Sequence, residues 1–452
     1  MRFWVLFFFY TAFSRLLAVV ELCRHGARTP LSKQPWDGER WADGPGQLIS
    51  EGMRQHYLIG SELRNRYIIG HKLLQANYYQ PEIYIVSSDF NRTLMSAQSQ
   101  LQGLYPMGTG ENLRSKEMFY KSKPPIGIQN FDSVAGNLGM AGLPGNIQVV
   151  PIHTNERKHQ ITLVPKNACS YYEYLTNERE NMKDEINNIF NEYLPSVQIL
   201  MTYLNCSQDY IIDNLEDLAD SLTSNVYMEN SLPKEFTQKM ISDMESLAYK
   251  VKSFINFEPD FNARLASTAL MNSIFINLKQ VIYKEITQKF FLYSAHDSTV
   301  SFALAYLQLD FSQPPPFAST IIWELYEDEQ KYYVNIKYND MIQKLKGCLD
   351  YNCTFQEYEL FVLERSIENL EEVCEDWENL EDESKEFLKD INLEDTYLSY
   401  VGSKGYSFSV WYLLIAICLF VIVLKLLKKR FTLSSNDDFN QRNYYRIKNI
   451  VS

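Results

Sequence analysis

Three short apolar runs, far apart in the sequence, constrain the fold of this 452-residue chain most strongly. Residues 16–22, 83–86 and 290–294 are almost continuously apolar, as in strands that are buried on both faces of a sheet. Each run leads into a short polar loop, and helical patterns follow the second and third runs at residues 93–104 and 298–307. This order of strand, loop and helix predicts an α/β fold with a doubly wound, mostly parallel sheet flanked by helices.

The long segment between the second and third runs has a different character. Residues 109–286 begin with Gly- and Pro-bearing segments and continue with charged, amphipathic helical patterns. We therefore predict a mainly helical cap that is inserted into an α/β core, whose two parts are residues 15–108 and 287–362. In the second part, residues 321–326 and 332–338 predict a β-hairpin.

The N-terminus has the pattern of a targeting segment. One Arg precedes an apolar run at residues 3–13, which is too short to span a bilayer but fits the core of a signal peptide. Ala12 and Ser14 are small residues at the positions that cleavage requires, so we predict a signal peptide over residues 1–14. A buried N-terminal strand is the less favoured alternative, because another strand-like run follows at once.

A second long apolar run lies near the C-terminus. Residues 408–427 contain a single charged residue, Lys425, and are followed by three basic residues. About 20 apolar residues cross a bilayer, and basic residues mark the cytosolic side. The pattern predicts one transmembrane helix in a type I membrane protein, with residues 428–452 as a cytosolic tail. A GPI signal is less favoured because it would lack this polar tail.

The cytosolic tail ends in a short pattern of the kind that sorting adaptors read. Tyr444 and Ile447 fit the Tyr-x-x-Φ arrangement, in which Φ is a bulky apolar residue. Because four-residue patterns also arise by chance, the sequence leaves open whether this one is a sorting signal or a chance match. Sorting adaptors are partners of the tail only if it is a signal.

The formal net charge of −13 is concentrated in one segment. Residues 364–395 contain 14 acidic residues against three basic ones. We predict an acidic stalk over residues 363–407, and a solvated stalk is favoured over a partner-binding tract. The acidic balance also argues against a nucleic-acid partner, since such proteins present basic surfaces.

The loops that follow the three apolar runs carry the residues best suited to chemistry. Ligands of open α/β sheets bind at the carboxyl ends of the strands, so these loops are expected to meet. Guanidinium groups match phosphate oxygens in a bidentate way, and a neutral imidazole between them can attack phosphorus. The candidates are Arg24, His25 and Arg28 after the first run, Arg92 after the second, and His296 and Asp297 after the third.

The stretch RHGARTP at residues 24–30 resembles the RHGxRxP signature of the histidine acid phosphatases, a branch of the histidine phosphatase superfamily. Similar segments follow at residues 92–97, 293–297 and 315–319, and the resemblance covers about residues 16–374. It implies a metal-independent enzyme without a cofactor that hydrolyses phosphate monoesters. It also implies a lumenal setting such as a lysosome, an endosome or a secretory vesicle.

The resemblance assigns a role to each candidate residue. His25 would be the nucleophile that forms a phosphohistidine, and Asp297 would protonate the leaving group. Nearby positive charge lowers a carboxyl pKa, so a protonated Asp297 requires mildly acidic pH. The phosphoryl oxygens would be held by Arg24, Arg28, Arg92 and His296.

Two alternative functions remain on the same fold. An inositol-phosphate phosphatase, similar to a phytase, would need a more basic cap than residues 109–286 provide. A catalytically inactive membrane sorting receptor would have no need of both a nucleophile and an acid. The sequence leaves open the natural substrate and whether the protein forms a homodimer.

The cysteines suit an oxidising compartment. Cys348 and Cys353 are five residues apart around a turn and predict a small disulfide loop. Of the remaining lumenal cysteines outside the first strand, one of three must lack an intramolecular partner. The resemblance implies a pair between Cys169 and Cys374, which leaves Cys206 either free or in an intermolecular bond.

Three sequons for N-glycosylation occur in the chain. We predict glycans at Asn205 and Asn352. Asn91 immediately precedes the candidate Arg92, so we expect it to remain unmodified.

Overall fold

The computed structural model describes residues 14–38, 40–41 and 44–375 of the chain. The predicted transmembrane helix, the tail with its sorting pattern, most of the stalk and all but the last residue of the signal peptide lie outside this part. Within it, no helix has both the length and the apolar character needed to cross a bilayer.

A seven-stranded sheet forms the centre of the described fold. Its strands are β1 (Arg15–Arg24), β2 (Ile83–Ser87), β3 (Phe290–Ala295), β4 (Thr320–Asp328), β5 (Lys331–Tyr338), β6 (Met341–Gln343) and β7 (Cys353–Thr354). The order across the sheet is β2, β3, β1, β4, β5 and β6, and β7 also pairs with β5.

The three apolar runs of the sequence form three adjacent strands. β3 pairs in parallel with both β1 and β2, and all six of its residues are buried. Residues 290–294 are apolar nearly throughout because helices cover both faces of this strand. The predictions of these three strands and of an α/β fold are therefore confirmed.

The prediction of a mostly parallel sheet was wrong, because the sheet is mixed. β4 pairs antiparallel with β1 and with β5, and β5 pairs antiparallel with β6 and β7. The predicted hairpin is present as β4 and β5, joined at Glu329 and Gln330, both of which have positive φ. A two-residue turn of this kind imposes antiparallel pairing, and the sequence did not indicate that the hairpin extends the central sheet.

Helices pack on both faces of this sheet. The α-helices in the described part of the chain are α1 (Ser50–Leu63), α2 (Asn91–Leu104), α3 (Met118–Lys121), α4 (Phe131–Gly136), α5 (Ser170–Glu180), α6 (Lys183–Glu192), α7 (Leu194–Leu204), α8 (Gln208–Asp213), α9 (Leu215–Tyr227), α10 (Gln238–Asn256), α11 (Asp260–Ile282), α12 (Asp297–Tyr306), α13 (Phe355–Arg365) and α14 (Leu370–Glu375). Val20 and Leu22 of β1 join a core cluster with α11, α12 and α13. Val19 and Cys23 face the other way and join a cluster with α1 and α2. Alternate residues of one strand thus enter two separate cores.

The predicted cap range contains two kinds of structure. Helices α6 to α10 form their own core, with Phe190, Leu200, Leu218 and Met244 fully buried in it. Helix α11 also lies within residues 109–286, but it contributes to the core on the sheet. The helices that pack mainly on one another therefore span residues 183–256.

Two disulfides lie in the described part of the chain. One joins Cys348 to Cys353, and the other joins Cys169, just before α5, to Cys374 in α14. Cys206 is unpaired and half-buried. Since α13 packs on the sheet core and α14 is bonded to α5, residues 363–375 belong to the folded unit, although the sequence placed them in the stalk.

Candidate active site

The loops after β1, β2 and β3 are hydrogen-bonded to one another. The backbone N–H of His25 donates to the Ala295 carbonyl at 3.0 Å, and that of Ser88 donates to the Ser294 carbonyl at 3.0 Å. These bonds bring the predicted residues into a single cluster at the carboxyl ends of the parallel strands. The cluster contains Arg24, His25, Arg28, Arg92, His296 and Asp297.

His25 lies at the centre of the cluster and is buried. Its Nδ1 lies 2.8 Å from the Gly26 carbonyl oxygen. A carbonyl can only accept, so Nδ1 carries the hydrogen and the lone pair of a neutral ring is on Nε2. Burial, followed by the charges of the three arginines, holds the pKa of His25 well below its usual range. The lowered pKa favours the neutral ring at mildly acidic pH.

Three guanidinium groups surround this imidazole. The Nε atoms of Arg24, Arg28 and Arg92 are all buried and have no hydrogen-bond acceptor within the described residues. The Arg24 guanidinium lies 4.3 Å above the ring centre of Phe317. Arg28 binds both carboxylate oxygens of Asp220, at 2.8 and 2.9 Å. Each arginine is thus held in place and keeps unused donors for an anion.

His296 connects two of the loops. Nη2 of Arg92 donates to Nδ1 of His296 at 3.3 Å, so Nε2 carries the ring hydrogen and donates to Oγ of Ser88 at 2.8 Å. Burial and the charge of Arg92 lower the pKa of His296 to about 3. With this pKa the ring of His296 is neutral in the free protein at mildly acidic pH.

Asp297 is the first residue of α12 and faces a lysine from another helix. Nζ of Lys252 in α10 donates to Oδ2 of Asp297 at 3.1 Å, and it also lies 3.4 Å from Oε1 of Glu216. Burial alone would raise the pKa of Asp297, but Lys252 and Arg24 hold that pKa well below its usual value.

The architecture and this site point to one protein family, and sequence comparison decides it. Residues 15–339 match the family described as histidine phosphatase superfamily, branch 2. The chain belongs to this family. The match includes all three parallel strands, the hairpin and every candidate residue of the cluster.

Curated relatives of this histidine phosphatase are acid phosphatases. It is 30% identical over 355 residues to human lysosomal acid phosphatase, with 75% of each chain covered. It is 27% identical over 344 residues to human prostatic acid phosphatase, with 73% of this chain and 80% of the relative covered.

Solved structures of bacterial phytases have a similar fold. The phytase from Citrobacter braakii superimposes with a TM-score of 0.56 at 14% identity, over 79% of this chain and 99% of that chain. The Klebsiella sp ASR1 phytase gives a TM-score of 0.55 at 16% identity, over 78% and 97% of the two chains. At such identities the likeness establishes the fold of this histidine phosphatase and nothing about its substrate.

Two charged residues of the helical insertion complete the site in this histidine phosphatase, and the sequence did not single them out. Asp220 of α9 fixes Arg28, and Lys252 of α10 fixes Asp297. Both lie in ordinary amphipathic helices, and no local pattern marks them. Only the packing of the insertion over the sheet places them here.

A third residue that no sequence pattern singled out is His56 of α1. His56 is completely buried, and its Nε2 donates to the Arg24 carbonyl at 3.1 Å. Its Nδ1 lies 2.9 Å from the Gln100 amide, which in turn lies 2.6 Å from the buried carboxyl of Glu21. This chain of polar groups supports the end of β1, where the loop that carries His25 begins.

The other predicted sites lie away from this cluster. Asn205 follows α7 and Asn352 lies in the Cys348–Cys353 loop, and both side chains are exposed. Tyr444 and Ile447 are outside the described residues. Among the described residues, the group with metal-ligand spacing is Cys348, Cys353 and Glu357, but its cysteines form a disulfide.

Proposed function

We propose that the protein is a histidine acid phosphatase that hydrolyses phosphate monoesters through a phosphohistidine at His25. The observation that carries this proposal is a neutral imidazole with its Nδ1 hydrogen fixed on the Gly26 carbonyl and three arginines around it. Such a ring is a nucleophile at Nε2, and the arginines supply the positive charge that a phosphoryl group requires.

In the first step, Nε2 of His25 attacks phosphorus while the bond from phosphorus to the ester oxygen breaks. The guanidinium groups of Arg24, Arg28 and Arg92 hold the non-bridging oxygens. Protonated Asp297 gives its hydrogen to the departing oxygen, which leaves as an alcohol. The Gly26 carbonyl stabilises the positive charge that the ring acquires on phosphorylation.

In the second step, water attacks the phosphorus of the phosphohistidine. The Asp297 carboxylate takes a proton from this water, the bond between nitrogen and phosphorus breaks, and inorganic phosphate leaves. His25 returns to its neutral form and Asp297 to its protonated form, so the cycle is closed.

Acidic pH suits the proposed roles of both Asp297 and His25. Asp297 must be protonated before the first step, although Lys252 and Arg24 favour its ionised form in the free protein. The negative charge of a bound phosphate opposes this effect and raises the pKa of Asp297. Burial and the arginines hold the pKa of His25 well below its usual value, which favours the neutral nucleophile at acidic pH.

Substitution of the nucleophile tests the proposal. His25→Ala should lower kcat for 4-nitrophenyl phosphate at about pH 5 by at least a thousandfold, because no phosphohistidine can form. His71→Ala removes an exposed histidine outside the cluster and serves as the matched control. Retained activity in His25→Ala would refute the mechanism, and an inactive wild-type protein would favour the sorting-receptor alternative. Inositol hexakisphosphate in the same assay tests the phytase-like alternative.

We also propose a single-pass type I membrane protein with a lumenal catalytic domain in the lysosome, endosomes or secretory vesicles. The apolar residues 408–427, the names of the lysosomal relatives and the exposure of Asn205 and Asn352 support this topology. Glycosidase treatment should increase the gel mobility of the wild-type protein but not of a variant with Gln at both asparagines. A chain ending at residue 407 should be secreted, and its retention in membranes would contradict the proposed span.

A further inference from the structure

A cavity of about 280 Å³ lies beside the phosphate-binding cluster. Its walls include loop residues 45–47, the segment from Phe90 to Arg92, and Arg157. Two guanidinium groups and no carboxylate contribute to the described walls. In a chain with a net charge of −13, this is a locally cationic cavity.

Arg92 faces both the cluster and the cavity. Its Nη2 donates to His296 within the cluster. Its Nη1 faces Gly46 in the cavity wall. A Cβ atom added to Gly46 would lie 3.5 Å from this nitrogen. One guanidinium group is thus shared between the site of the chemistry and the neighbouring space.

Arg157 supplies the second positive charge and is held in a fixed position. Its Nε donates to the Asp89 carbonyl at 2.9 Å, and its guanidinium carbon lies 3.8 Å from the ring centre of Phe90. The guanidinium carbon of Arg92 lies 4.7 Å from the same ring centre. Among the described residues, the two terminal nitrogens of Arg157 have no hydrogen-bond acceptor.

This arrangement favours the binding of an anion, because little side-chain conformational entropy is lost. A guanidinium group whose Nε is hydrogen-bonded and whose face packs on an aromatic ring loses less conformational freedom when it binds an anion. Its free edge matches a phosphate group in a bidentate way. Both guanidinium groups pack on the ring of Phe90, so one side chain helps to position both cations.

We propose that this cavity is a second anion subsite, which binds a second phosphate group of a small substrate while the first phosphate group reacts at His25. The proposal rests on the proposed phosphatase function. Arg157 determines the specificity for bisphosphates, and Arg92 contacts both phosphate groups.

The test compares two substrates that differ by one phosphate group. Arg157→Gln in the full chain should lower the ratio of kcat/KM for fructose 1,6-bisphosphate to that for fructose 6-phosphate by about tenfold, since one charge-assisted contact is lost. Lys158→Gln removes the same charge from the adjacent exposed residue, which pairs with Glu156, and should leave the ratio unchanged. An unchanged ratio in Arg157→Gln, or an equal fall in Lys158→Gln, would overturn the subsite.

A binding measurement separates this proposal from the proposed function. In the His25→Ala background, calorimetry should show tighter binding of the bisphosphate than of the monophosphate, and Arg157→Gln should remove the difference. If the wild-type protein releases no phosphate from either sugar, the phosphatase function fails, yet the calorimetric comparison still decides the subsite. Equal binding of the two sugars to His25→Ala would refute the subsite alone.

Discussion

Lys252 and Asp297 form a pair in which one residue controls the protonation of the other. The ammonium group lies 3.1 Å from the carboxylate that is proposed to protonate the leaving group. The side chain of Asp297 is 31% exposed, so solvent weakens the attraction. An opposite charge at this distance still favours the ionised acid and confines catalysis to lower pH.

We predict that Lys252→Met shifts the pH profile of activity towards neutral pH. Without the ammonium group the pKa of Asp297 rises, so the acid stays protonated at higher pH. The basic limb of the kcat profile should therefore move up by about one pH unit. Lys250→Met, on the same helix, breaks an exposed pair with Glu192 and is the matched control. A basic limb that stays in place in Lys252→Met would show that the pair does not control the acid.

Site residues that directly follow a strand can be predicted from the sequence, whereas site residues that are brought into place by helix packing cannot. His25 and Arg28 follow a buried strand in one contiguous segment, so their neighbourhood is fixed locally. Asp220 and Lys252 are about 200 residues away along the chain, and their positions depend on how α9 and α10 pack over the sheet. The neutral state of His296 depends likewise on burial, which no local pattern reports.

At the scale of elements, a buried polar network ties β1 to α1 and α2. The Arg24 carbonyl can only accept, so His56 donates from Nε2. Oε1 of Gln100 lies 2.9 Å from Nδ1 of His56, and Nε2 of Gln100 donates to Oε2 of Glu21 at 2.6 Å. Burial raises the pKa of Glu21 to about 8, although the hydrogen bond from Gln100 opposes this rise.

This network predicts a pH dependence of stability. Glu21 keeps its proton in the folded protein up to about pH 8 but loses it near pH 4.5 when unfolded. Its contribution to the free energy of unfolding is therefore complete below pH 4.5 and declines towards pH 8, by up to about 1.4 kcal/mol per pH unit. Glu21→Gln keeps the hydrogen bonds but cannot ionise, so its stability should fall less steeply over this range.

Denaturant unfolding from pH 5 to pH 8 measures this difference. The buried histidines have lowered pKa values, so they stabilise the folded protein increasingly as pH rises to 6.5. This effect is the same in the wild type and in Glu21→Gln. The difference between the two stability curves therefore isolates Glu21. Glu235→Gln removes an exposed carboxylate and should reproduce the wild-type slope. Parallel curves for the wild type and Glu21→Gln would mean that Glu21 is ionised in the folded protein.

The same division between local and tertiary information holds for the whole fold. The strands β1, β2 and β3 and the β4–β5 hairpin were predictable because apolar runs and turn residues are local signals. The attachment of β4 to β1, which makes the sheet mixed, depends on pairing between residues some 300 positions apart. The position of α11 on the sheet rather than in the helical insertion is also decided by tertiary packing.

The Cys169–Cys374 disulfide would have a mechanical consequence in the proposed type I topology, in which a membrane span follows the folded unit. Tension from such an anchor would enter the described fold at Glu375, one residue after Cys374. The covalent bond would pass that load to Cys169, just before α5, so α13 and α14 would not be pulled away one after the other. Under this proposal an anchored chain could bear tension without loading the strand that precedes His25.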